Sequence, residues 1–152
     1  MKWKEIVHWL LAHHSRDNLS HTIKISIGKR ELYLCARCTS LYSALIISYF
    51  LFGFVIDIRQ LPLWIIHGLA YCFGTPIILS WGWQTIMGQD NSNKTRILTG
   101  VGGGIGLAIL LYLPSPFREL NIFGIFGIVF FILYFGKIRR YKKNFTIIDQ
   151  DE

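Results

Sequence analysis

Charge is what this chain has least of. Only 16% of its 152 residues are Asp, Glu, Lys or Arg, while 52% are hydrophobic. A soluble domain usually carries about 25% charged residues, so the shortfall argues against water as the main solvent and points to lipid. Cysteine is scarce as well. Three residues do not make an even disulfide framework, and Cys35 and Cys38 are too close in sequence to staple anything large. A signal-peptide core is also missing. Met1 to His14 is broken by Lys2, Lys4, Glu5 and His8, where an h-region would run unbroken into small residues. The N-terminus is therefore expected to stay on the side where it is made. The chain shows no internal repeat, and its length is enough for one domain.

What the chain does have is apolar runs. Four stand out: Ser40 to Ile56, Pro62 to Trp83, Ile97 to Leu113, and Leu120 to Gly136. Each approaches the roughly 20 residues that cross about 30 Å of hydrocarbon. The breaks between them are polar or rich in turn formers: Asp57, Arg59 and Gln60, then Gly88 to Lys94, then Pro114-Ser115-Pro116. Pro62 suits a first helical turn, where its missing N–H is not needed. Pro76 is expected to bend the second helix. The basic cluster Lys137 to Lys143 is expected to stop the fourth.

The formal net charge of +7 would suggest nucleic acid in a soluble protein. Here its distribution explains it. Seven of the 16 Lys and Arg residues lie at or before Arg37, two in the loop and turn around Lys94 and Arg96, and five in Lys137–Lys143. Only Arg59 and Arg118 fall in the other two connections. An even number of spans puts the three basic regions on one side, and the positive-inside rule makes that side cytoplasmic. The expectation is a multi-pass protein of the cytoplasmic (inner) membrane with both termini inside and no nucleic-acid partner.

Met1 to His14 reads as a short amphipathic helix lying on the membrane surface. Ile23 to Ile27 and Glu31 to Leu34 read as a small hairpin turning at Gly28-Lys29. Three regions follow: residues 1–39 as an amphipathic helix and Cys/His cap, 40–136 as a four-helix transmembrane bundle, and 137–152 as a basic stop with a disordered acidic tail. The fold class is an all-α membrane protein.

Cys35-Ala-Arg-Cys38 stands at the foot of the first apolar run. A Cys-x-x-Cys turn lets two thiolates converge on one ion, and zinc favours four soft or borderline ligands in a tetrahedron. His14 and His21 would complete a Cys2His2 set, with His13 as the alternate for either. Two other readings stay open: a dithiol redox pair, and unliganded thiols packed against the bilayer. A second constellation is Gln84 with Asn91-Ser92-Asn93-Lys94-Thr95-Arg96 and Thr99-Gly100, leading into the third span, with Gln84, Asn93 and Arg96 as the candidate anion contacts. There helix N–H groups and a guanidinium suit a phosphate or carboxylate. Arg37, inside the cysteine motif, belongs with it as an anion or headgroup contact.

Gly100, Gly102, Gly103, Gly104 and Gly106 follow no strand and so are not a nucleotide fingerprint. They form small-xxx-small pairs that let membrane helices approach, and the Gly100–Gly106 face is also where a homo-oligomer would form. His67, inside the second span, is expected to hydrogen-bond a neighbouring helix. Cys72 is expected to pack as a small side chain.

Cys35-Ala-Arg-Cys38-Thr39 running into a membrane helix, the upstream histidines, and Ser92-Asn93-Lys94-Thr95-Arg96-Ile97-Leu98-Thr99-Gly100 together resemble a prokaryotic family of small membrane proteins, domain of unknown function 2085. The likeness covers about His13 to Gly106. It implies the same topology and marks the same residues as the site, but brings no reaction. This chain has Ser40 where members usually have Gly, and Ser80 where they often have Asp.

The expectation is an integral membrane binding module. A structural zinc site would lie at its cytoplasmic face, beside a pocket for a lipid headgroup, a small anion or a partner protein. One alternative is a metal- or thiol-dependent enzyme acting on a lipid or quinone-like membrane substrate. An oligomeric channel is the other, and the absence of charged residues from the apolar runs argues against it.

Overall fold

The computed structural model describes residues 22–27, 30–88 and 91–148. The expected surface helix at Met1–His14, the hairpin tip at Gly28-Lys29, His13, His14, His21 and the acidic tail Asp149–Glu152 lie outside the described residues.

Strand β1 (Thr22–Ile27) pairs antiparallel with β2 (Arg30–Cys35), with Ile27 opposite Arg30 and Thr22 opposite Cys35. The pairing leaves two residues between the strands, the connection that a tight hairpin uses. Helix α1 (Ala36–Phe54) follows without a linker. Cys35 is both the last strand residue and the helix N-cap, with extended backbone angles of φ −61° and ψ 121°. A 3-10 turn, Ile58–Gln60, leads to α2 (Leu63–Met87), then α3 (Asn93–Leu111) and α4 (Phe117–Ile148).

Local chemistry sets the helix ends. Pro62 is the N-cap of α2, and Gly88 ends that helix at φ +70°, where a side chain would be strained. Ser92 caps α3 by accepting from the Thr95 N–H at 3.3 Å. Helices α1 and α3 start about one turn earlier than their apolar runs, so Arg37 and Arg96 sit in first helical turns and not in flanking loops. The basic cluster ends the apolar surface of α4 but not the helix, which continues to Ile148.

Among the described residues, four helices are long and apolar enough to cross a membrane. Their outer faces are apolar: Phe54 is 84% exposed, Trp64 75% and Phe123 73%. Such surfaces require hydrocarbon as solvent, and helices satisfy their own backbone groups there. The protein is an all-α membrane protein with four transmembrane helices and a small hairpin at one end. Cys72 lies on the exposed surface and does not pack inside the chain.

Lipid tails supply no hydrophobic drive between helices, so close packing holds them. Helix α3 is the centre of it. A Cβ on Gly104 would stand 2.8 Å from the Cβ of Ala44 on α1, and one on Gly103 would stand 2.7 Å from a methyl of Ile77 on α2. Gly106 lies as close to the α2 backbone at Ala70 and Gly74. The face expected to serve a homo-oligomer is thus used within the chain: Gly100, Gly103, Gly104 and Gly106 are buried against α1 and α2.

At the end remote from the hairpin, Ile58, Ile66, Ala70, Ile109, Leu110 and Leu113 form the buried cluster. Nearby, His67 ties α2 to α4. Its Nδ1 bonds the Leu63 carbonyl at 2.9 Å, which places the ring proton there, and its Nε2 accepts from Asn121 Nδ2 at 3.3 Å. The Tyr71 hydroxyl donates to the other side of the Asn121 amide. The interhelical partner expected for His67 is therefore Asn121.

Candidate binding site at the hairpin end

At the hairpin end, the start of α1, the end of α2 and the start of α3 meet. Close approach of backbones makes this possible. Gly100 on α3 sits so near the first turn of α1 that a Cβ there would stand 2.8 Å from the Arg37 carbonyl and collide with Ser40 Oγ. Ser40 itself donates to that carbonyl at 3.0 Å. The contact brings the side chains of Arg37 and Arg96 into one patch, close enough that the charge of Arg96 acts on Arg37.

Arg37 is partly buried. One terminal nitrogen donates to Ser80 Oγ at 3.4 Å and Gln84 Oε1 at 3.3 Å, while its Nε is buried and meets no acceptor among the described residues. Ser80 and Gln84 are one turn apart on α2 and so share a face. Arg96 is only 4% exposed, and its Nε donates to the Asn91 carbonyl at 3.0 Å. Asn91 in turn donates its amide to Ser80 Oγ at 2.9 Å and to the Ser80 carbonyl at 3.1 Å. The result is a continuous polar network that carries two guanidinium charges.

Of the residues expected at an anion site, Arg37, Gln84 and Arg96 come together. Asn93 is the first residue of α3, and the amide that closes the network belongs to Asn91. Asn91 belongs to the expected constellation, and Ser80 is the member that was not expected at the site. The sequence marks it in two ways, by its place four residues before Gln84 and by standing where members of the resembled family often have Asp, but a single serine in an apolar helix is weak evidence of a site.

Cys35 is buried at the end of β2, and Cys38 lies in the first turn of α1. The two side chains are hydrogen-bonded to each other. The i, i+3 spacing across a helix N-cap makes them face each other, the relation by which an N-cap side chain ordinarily reaches N3. Among the described residues, no three His, Cys, Asp or Glu side chains come together as a metal-binding group. The expected histidines lie outside those residues.

Residues 18–110 match the family model described as "Predicted membrane protein (DUF2085)". The chain belongs to this family. The matched region holds the hairpin, α1, α2 and nearly all of α3, and so every described residue of the site; α4 lies beyond it. An uncharacterized protein of Methanothermobacter thermautotrophicus is 33% identical over 78 residues, which is 51% of this chain and 67% of that protein. No solved structure matches the chain.

Proposed function

We propose that this family member is a binding module of the cytoplasmic membrane, with a zinc-clamped cap at its cytoplasmic hairpin end beside an anion-binding patch. The hairpin register carries the metal reading. Thr22 pairs directly with Cys35, so the chain enters the strand beside the cysteines. His21 directly precedes Thr22 in the sequence. Cys35 and Cys38 already face each other. His21, with His14 (or His13 in its place), would complete a closed tetrahedral set, and a closed set is structural, not catalytic. Such sites contribute about 10–16 kcal/mol of apparent binding free energy in small domains. That is enough to hold a short segment over the bundle.

Metal analysis of the detergent-purified protein tests this. The expected result is one zinc per chain with two sulfur and two nitrogen neighbours by X-ray absorption, and loss of the metal in Cys35→Ser and His21→Ala. A metal-free protein with a titratable, reactive dithiol would overturn the clamp and favour thiol chemistry on a membrane substrate.

A further inference from the structure

Helix α4 rests mainly on α2, and the contact differs along its length. Toward the hairpin end it is packing. A Cβ on Gly82 would stand 3.1 Å from Ile132 Cδ1, and one on Gly136 would stand 2.9 Å from Thr85 Cγ2. Midway along α4, a Cβ on Gly124 or Gly127 would meet nothing within 4 Å among the described residues. At the remote end the contact is polar, the cluster of His67, Asn121 and Tyr71.

Two backbone carbonyls, which can only accept, fix the protons of that cluster. His67 Nδ1 lies 2.9 Å from the Leu63 oxygen, so Nδ1 carries the ring proton and Nε2 a lone pair. Asn121 Nδ2 lies 2.6 Å from the Phe117 oxygen, so the amide nitrogen is on that side, where it also donates to His67 Nε2 at 3.3 Å. The amide oxygen accepts from the Tyr71 hydroxyl. Each proton has one place, and the arrangement requires a neutral imidazole.

We infer that His67 is a proton-operated latch: uptake of a proton on Nε2 releases the remote end of α4 from α2, while packing at Gly82 and Gly136 holds the other end. The inference is independent of the reading of the hairpin end. A proton on Nε2 sets its N–H against the Asn121 N–H, two donors with no acceptor between them. Turning the amide over would press its oxygen against the Phe117 carbonyl and take the acceptor from the Tyr71 hydroxyl. The surroundings do not favour the charge either. Phe117 of α4 meets the ring edge-on at 5.9 Å between centroids, and Tyr71 of the same helix lies at 6.3 Å. The described acids of this end are engaged, Asp57 with Arg59 and Glu119 with Arg118. Histidine is the side chain whose charge ordinarily changes between pH 5 and 8. Proton uptake and the closed link exclude each other, so the link is present at high pH and is lost as the ring takes up its proton.

Hydrogen exchange of the detergent-purified full chain tests this, read by mass spectrometry over the first turns of α4. Wild type is compared with His67→Gln at the same pH, which cancels the intrinsic pH dependence of exchange. The glutamine amide oxygen can accept from Asn121 and does not titrate. Rates should agree at pH 8. At pH 5 the wild-type segment should exchange roughly three- to twentyfold faster, the range that loss of one interhelical hydrogen bond in a membrane spans. The segment around Ile132 and Gly136 should show no such difference.

Asn121→Asp is the second arm. Its carboxylate would accept from the protonated ring, so acid should tighten the link in this variant and reverse the sign of the response. Equal rates for wild type and His67→Gln at pH 5 would sink the inference. So would an acid-loosened link in Asn121→Asp, or nitrogen NMR showing the wild-type His67 ring still neutral at pH 5.

Discussion

Gly100 shows how much of this protein depends on single atoms. The first turn of α1 approaches α3 so closely there that a methyl group would meet the Arg37 carbonyl at 2.8 Å and Ser40 Oγ closer still. Backbone cannot yield as a flexible side chain does, and overpacking of this kind costs about 1–3 kcal/mol. Gly100→Ala should therefore lower the unfolding midpoint in detergent. Gly68→Ala, at a position with nothing within 4 Å, should leave it unchanged. Equal midpoints for the two variants would mean that α1 and α3 do not approach this closely.

The same contact explains what a reader of the sequence alone could and could not find. Arg37 and Gln84 drew notice because polar side chains beside apolar runs are conspicuous. That Arg96 would be almost fully buried was not visible. Its burial depends on Gly100 letting α1 approach, and on Asn91 turning back to receive its Nε at 3.0 Å.

At the scale of elements, the apolar runs located all four spans but misplaced their ends, for two physical reasons. A helix does not need apolar residues in its first turn, and Ser92 caps α3 while Asn93 to Arg96 are already helical. Lys and Arg are good helix formers, so Lys137 to Lys143 end only the lipid-compatible surface while α4 runs on to Ile148.

Helix α4 is also the most loosely held span. Apart from close packing of Gly82 on Ile132 and Gly136 on Thr85, its described polar link to the bundle's remote end is Asn121, bonded to His67 and Tyr71 of α2. Interhelical hydrogen bonds in membranes average about 0.6 kcal/mol and reach about 1.7. Asn121→Leu should cost an amount in that range in a denaturant titration in detergent. The double variant with His67→Leu should cost little more, because both substitutions break the same link. Additive losses would show that the two side chains act independently.

For the molecule as a whole, the two ends differ in chemistry. The hairpin end gathers Arg37 and Arg96 beside Ser80, Gln84 and Asn91, and the basic stretch of α4 emerges on the same side. The remote end holds the apolar cluster, the Arg59–Asp57 pair at 3.6 Å and the Arg118–Glu119 pair at 2.8 Å. Each of those arginines is offset by an adjacent acid, so the remote connections contribute little net positive charge. Only the hairpin side carries an excess, and basic residues near span ends resist translocation.

The proposed orientation follows with both ends of the chain in the cytoplasm. A reporter fused after Glu152 should be active only in its cytoplasmic form, and one inserted after Gln60 only in its exported form. Replacing Lys137, Arg139, Arg140, Lys142 and Lys143 with Gln should move a measurable fraction of the Glu152 fusion outside, because C-terminal charges alone can reverse a topology. An exported signal from the unmodified Glu152 fusion would invert the assignment. It would place the cysteines and the Arg37–Arg96 patch in the oxidising compartment, where Cys35 and Cys38 would be expected as a disulfide and not as zinc ligands.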